Sequence, residues 1–228
     1  MIHVKETDHN SDSTADNLKA FIRNDQYNFI KDQTKILVAG QASTNDAEVL
    51  NVLRHLAHEK VYKLFPSLTE QQKKILQPLV QVKELGDAET FLEQLQPYII
   101  PFNAVSDQGL KKLFPKAKKL KGPKLENINL GRTSYLAWTE SSNLMYLVAH
   151  ENDGLIGVQG SFTRSGKQGI CTLCNRHSEV GMFIAKTKSS GQDQFIKRGN
   201  YICQDSAACN DNVKTLDRLN EFIGQFQK

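Results

Sequence analysis

The chain lacks any run of about 20 apolar residues, the length a helix needs to cross a bilayer, so no membrane span is expected. Its start, MIHVKETDHNSDSTAD, offers neither the basic stretch nor the apolar stretch of a secretory leader. Residues 1–13 read as a disordered polar tail, and a cytoplasmic protein is expected. Phosphate-cradling loops are missing too. The glycine-rich GVQGSFTRSGKQG has no P-loop spacing, and no serine is framed as Gly-x-Ser-x-Gly. With carboxylates scattered, no catalytic apparatus is legible, so neither an enzyme nor a small-molecule substrate is expected. Cysteine is scarce, with four in 228 residues, and all four fall between positions 171 and 209. Clustered thiols without an export signal are metal ligands or catalytic groups more often than disulfides.

Charge of one sign is absent from one place only. Residues 111–124, KKLFPKAKKLKGPK, hold seven lysines and no acid, whereas residues 1–110 carry 11 basic and 15 acidic side chains. Residues 125–228 carry 11 basic and 10 acidic ones, so the net charge of +4 comes from one block at mid-chain. Such a block is either a solvated helix end and linker or a contact for nucleic acid or an acidic surface.

What is present changes period at that block. Before it, apolar residues recur at three-to-four spacing, which predicts helices. The first carries Leu18, Phe21, Ile22, Tyr27, Phe29, Ile30, Ile36 and Leu37 and stops at Gly40. The second has Val49, Val52, Leu53, Leu56 and Val61 on one side and ends at Pro66. A third opens on Thr69 with Gln72 three residues on, a capping-box pattern, and Pro78 should kink or break it. A fourth runs from about Asp87 to Pro97, and a short fifth from Ser106 to Pro115. After the block, TSYLAWT and NLMYLVAH flank the turn ESS as a hairpin, and GLIGVQGSF and VGMFIAKT add two strands. A closing helix carries Leu216, Leu219, Ile223 and Phe226 along one face. The expected fold is α+β: a helical bundle of four-helix type over 14–115, a lysine-rich linker at 116–124, and a β-rich zinc-binding α/β domain over 125–228.

Cys171-x2-Cys174, then 28 residues, then Cys203-x5-Cys209 makes two close pairs joined by a folded excursion. Four soft ligands at tetrahedral corners are the structural zinc set. A knuckle, a hairpin and a helix whose beginning closes the site form a treble-clef-like finger, with one structural Zn2+ expected. The x5 gap is looser than the usual x2. His177-Ser178-Glu179 matches the H-x-E element of zinc deaminases, but it follows the Cys-x-x-Cys instead of preceding it and lacks the proline. A hydrolytic zinc also needs an open coordination position, and four cysteines fill every one.

The helical first half, the lysine-rich boundary and the segments ICTLCNRHSEVGMFIAK and KRGNYICQDSAACNDNV together resemble the FusB-type fusidic acid resistance family, the elongation factor G-binding proteins. The resemblance spans nearly the whole chain beyond the tail, and its specific part is the cysteine-bearing half. It implies that the zinc domain docks on elongation factor G and helps release the factor from drug-stalled ribosomes. The ribosome would be engaged indirectly, for fusidic acid resistance or a related housekeeping role in translation. By position, the implied contacts are Arg198, Tyr201 and Phe222. Lys197 joins them because FIKRGNYIC interleaves basic and aromatic residues of the types that dominate interface energy. Inside the first Cys-x-x-Cys, an aromatic is expected from the family where this sequence has Thr172 and Leu173. The alternative reading is a zinc-containing RNA/DNA-binding protein, with the lysine block on phosphates and aromatics near Arg198 stacking on bases.

Overall fold

The computed structural model describes residues 18–117, 120–140, 143–151, 154–188 and 195–226; the expected tail lies outside them. Five helices come first: α1 (Asn24–Ser43), α2 (Ala47–Tyr62), α3 (Glu70–Leu76), α4 (Leu85–Leu95) and α5 (Asp107–Leu113). Five strands follow, β1 (Tyr135–Glu140), β2 (Leu144–Glu151), β3 (Gly154–Ile170), β4 (His177–Lys188) and β5 (Phe195–Cys203). Two short helices, α6 (Ser206–Asn210) and α7 (Asp217–Gly224), close the chain. The α+β order is the one read from the period change. Among the described residues no helix is long and apolar enough to cross a membrane.

Local chemistry explains the boundaries. Thr69 Oγ1 accepts from the Gln72 amide at 3.2 Å while Gln72 Oε1 accepts from the Thr69 amide at 2.9 Å, the reciprocal cap expected at α3. Proline at position 78 ends α3 at Leu76 and turns Gln77–Gln81 into a 3-10 segment. The first helix departs from the periodic reading at both ends. Phe21 and Ile22 are extended, because their amides donate to the Tyr98 carbonyl and Ile22 bridges Ile99 in parallel. Gly40 does not stop the helix: a Cβ there would lie 2.5 Å from Leu53 Cδ1, so the glycine lets α2 approach α1. On α2 the buried residues are Leu50, Ala57 and Val61, while Val49, Val52 and Leu56 are exposed.

All five strands pair antiparallel in sequence order, a meander with β1 and β5 at its edges. Side chains alternate between faces, and residues paired across strands share one. One face carries Met145, Leu147, Val158, Phe162, Phe183 and Ile202, and packs with α7 and the cysteines. The opposite face is covered in part only. Over β1 and β2 it holds Leu136, Tyr146 and Val148 against Phe102, Leu110 and Phe114. Thus α5, expected to close the helical domain, packs instead on the sheet. Gly157 permits the approach, since a Cβ there would meet the Phe114 ring at 2.6 Å. The remaining helices share a separate core built on Ile22, Ile30, Leu76, Leu79, Phe91 and Leu95.

Polar side chains join the two cores. Asn24 and Asn28, at the start of α1, are buried and both donate through Nδ2 to the Asn210 carbonyl, at 3.0 and 2.7 Å. Asn28 Nδ2 also donates to the Val213 carbonyl at 2.8 Å, and Asn24 Nδ2 to Ser134 Oγ at 3.0 Å. At the rim, Arg132 pairs with Asp211 at 2.8 Å and Lys214 with Asp32 at 2.5 Å.

Candidate metal centre and partner surface

Cys171 and Cys174 lie on the turn between β3 and β4, Cys203 ends β5, and Cys209 sits in α6. The turn closes because the Asn175 amide donates to the Cys171 carbonyl at 2.9 Å and Asn175 takes a left-handed φ of 55°. Asparagine tolerates that region better than most side chains. Asp205 starts α6 by accepting from the amides of Ala207 and Ala208 at 2.8 and 3.1 Å, which swings Cys209 back toward the turn. The register of the strands therefore brings together four residues that span 38 positions.

All four thiols are buried. Their sulfurs lie within 4.8 Å of one another, with Cys171–Cys209 and Cys174–Cys203 each 3.7 Å apart. Sulfurs at the corners of a tetrahedron with metal bonds of about 2.3 Å stand roughly 3.8 Å apart, so this set has the ligand type, number and approximate spacing of a zinc site. The Cys203 amide donates to Cys171 Sγ at 3.3 Å, a bond suited to a thiolate. Hydrogen bonds from Cys174, Cys203 and Cys209 lower the pKa of Cys171 strongly. The same sharing raises Cys203 and Cys209, since each would ionise beside an existing negative charge. A divalent cation removes that conflict by holding all four as thiolates. Tyr135, beneath the site, is raised well above its ordinary range, first by burial and then by the Cys209 sulfur that its hydroxyl faces. The chemistry of this centre is structural, because four protein sulfurs leave no position for water. His177 is exposed at the start of β4 and is not part of the cluster.

The residues expected to meet a partner are divided. Lys197 and Tyr201 lie on the sheet face that α5 leaves open, and Tyr201 is 48% exposed. Ile184, also exposed, and Met182 flank them through pairings with Gly199 and Tyr201. A hydrogen bond of 2.8 Å from the Thr172 amide to the Tyr201 carbonyl ties this strand to the zinc turn. Arg198 alternates to the other face and is half-buried, its Nε without a hydrogen-bond partner. Phe222 corrects the sequence reading outright. It is 0% exposed, with ring centroids 5.6 Å from Phe183 and 5.1 Å from Phe226. The apolar stripe of α7 runs Leu219, Phe222, Ile223, Phe226, an i, i+3, i+4, i+7 series that places Phe222 at its centre. Of the two residues inside the first Cys-x-x-Cys, where the family resemblance calls for an aromatic, Leu173 is buried in the core and Thr172 is partly exposed.

Sequence reasoning missed Ile184 and Met182, which read as strand residues of either face, and Asn210. Asn210 Oδ1 accepts from the amides of Ser134 and Tyr135 at 2.7 and 3.1 Å, and its Nδ2 donates to the Tyr135 carbonyl at 2.9 Å. Its neighbour Cys209 was the signal: a polar residue beside a buried ligand must find partners indoors.

Comparison with known proteins agrees with this architecture. Residues 21–103 match the family described as elongation factor G-binding protein, N-terminal, and residues 114–225 match the FBP C-terminal treble-clef zinc-finger. The solved structure of the fusidic acid resistance protein FusC superposes with a TM-score of 0.78 at 28% identity, over 91% of this chain and 98% of that one. No match was found among curated protein sequences. With both of its parts matched in order, the chain belongs to the FusB-type family of elongation factor G-binding, fusidic acid resistance proteins.

Proposed function

We propose that this protein binds elongation factor G through its zinc-finger half and promotes release of the factor from ribosomes stalled by fusidic acid. It acts as a binding protein of the translation apparatus, with neither drug nor factor covalently changed. The observation that carries the reading is the closed four-thiol centre bracing β5, so that Tyr201 and Lys197 stand on a rigid, uncovered sheet face beside Ile184. Pre-organised aromatic and aliphatic side chains ringed by polar ones suit a protein partner. The binding unit includes Phe102 and α5, because both are part of the sheet's second core.

Calorimetry with purified elongation factor G tests this. Tyr201→Ala should weaken binding roughly thirtyfold, about 2 kcal/mol, with zinc content unchanged. A wild-type protein that gives no complex at micromolar concentration would overturn the reading, and an unchanged affinity for Tyr201→Ala would move the contact off this face.

A further inference from the structure

The lysine-rich segment is not a slack tether. Leu110, Leu113, Phe114, Ala117, Leu120 and Leu125 all turn into the core shared with the sheet. Trp138 Nε1 donates to the Lys121 carbonyl at 3.1 Å, and the Lys121 amide donates to Glu140 Oε1 at 3.3 Å. Every described lysine of the segment, 111, 112, 116, 121 and 124, points to solvent. Among the described residues none of these five side chains forms an ion pair; the recorded pairs use other cations. The result is a cationic strip of five exposed lysines on a segment that is anchored to the sheet by its apolar side chains. Like charges on one segment repel one another, and among the described residues no ion pair offsets that cost at these five side chains.

We infer that this strip is a second interaction surface, and that its partner is the phosphate backbone of RNA. The chemistry separates that partner from an acidic protein. Lysine is depleted at the centres of protein interfaces, and a protein partner needs a desolvated apolar or aromatic anchor. The strip has none, because its apolar side chains are used inward. A row of unpaired ammonium groups matches instead a polyanion that releases its condensed counterions on binding. The strip stands apart from the elongation-factor reading, which rests on Tyr201.

The test is fluorescence anisotropy of the full-length zinc-loaded protein with a labelled single-stranded RNA of about 20 nucleotides, and with poly-L-glutamate of equal charge. Five phosphate contacts on single-stranded RNA give a log–log salt slope of about −3.5, a loss of roughly 100-fold between 50 and 200 mM salt. Replacing all five lysines by glutamine, with Lys118 and Lys119 of the same segment retained, should remove most of that slope while leaving zinc content and melting temperature unchanged. Single changes such as Lys112→Gln or Lys121→Gln should each reduce it by about 0.7. Tyr201→Ala should leave RNA binding as it was. Three results would overturn the inference: no RNA binding at 50 mM salt, a slope indifferent to the five substitutions, or polyglutamate bound as tightly as RNA. Loss of RNA binding in Tyr201→Ala would do the same, by moving the site off the strip.

Discussion

In the helical half, apolar residues from Ile22 to Ile99 form one cluster between packed helices, and the polar side chains buried beside it, such as Gln26 and Gln33, belong to α1. In the sheet half, the cluster containing Phe183 and Phe222 also contains all four cysteines, so its end is a polar centre enclosed by apolar neighbours. The helical half gains stability wherever apolar area is removed from water, and no single residue decides it. The sheet half concentrates its stability at one point. Spread and concentrated stabilisation predict different responses to damage.

Metal removal should show the largest difference. Structural zinc contributes about 10–16 kcal/mol in small fingers, so a chelator, or Cys209→Ser, should strip protection from β5, α6 and α7 in hydrogen exchange. The helices from α2 to α4 should keep theirs. If both halves lost protection together, they would form one cooperative unit and the contrast would fail.

Phe222→Ala comes next. Emptying a fully buried phenylalanine site costs about 3–5 kcal/mol, so the melting temperature should drop sharply. Tyr201→Ala, twenty-one residues earlier but exposed, should leave the melting temperature nearly unchanged. Equal effects would mean that the two aromatics do not differ as their burial says.

Asn28→Ala probes the seam. It removes the side chain that donates to the Asn210 and Val213 carbonyls across the join, at about 1–3 kcal/mol for each buried group left unpaired, while the four sulfurs remain in place. Zinc content should hold, and thermal unfolding should split into two transitions as the halves uncouple. A single transition at lower temperature would show that the seam does not govern coupling.

The smallest effect concerns His150, whose ring meets Phe102 edge-on at 4.7 Å. Burial lowers its pKa below the ordinary imidazole value of 6.5. The unfolded chain therefore binds the proton more readily, and the stability tied to neutral His150 is complete above pH 6.5 and declines as pH falls through the depressed folded value. His150→Gln should flatten that part of a denaturation-versus-pH profile; an unchanged profile would assign it to other groups.

Much of this was readable from residue order. The capping box at Thr69, the break at Pro78, the β1–β2 hairpin and the four cysteines each follow from local chemistry that tertiary packing leaves intact. The misreadings share one cause, which is that periodicity marks a stripe but not what will cover it. Val49, Val52 and Leu56 keep helical spacing on α2, yet the neighbouring helices meet its other side. Phe222 was assigned to the partner by the family resemblance, and a stripe drawn through Leu216, Leu219, Ile223 and Phe226 left it at the rim, where the spacing did not contradict the assignment. The lysine segment read as a linker because its charges are conspicuous and its inward apolar residues, one or two at a time, are not.

The seam also bears on the order in which the chain becomes a protein. Each strand pairs with its neighbour in sequence, so the sheet needs only short loop closures and can zip as it emerges. The hydrogen bonds of Asn24 and Asn28 to the Asn210 carbonyl span 186 and 182 residues, nearly the full length of the chain. During synthesis the first helix is therefore made long before its partners, which follow Cys209 in the chain. Two asparagines can wait in water at little cost, where two exposed leucines would invite aggregation. A polar seam is thus suited to a join that must close late, between the first helix and the segment that follows the metal ligands.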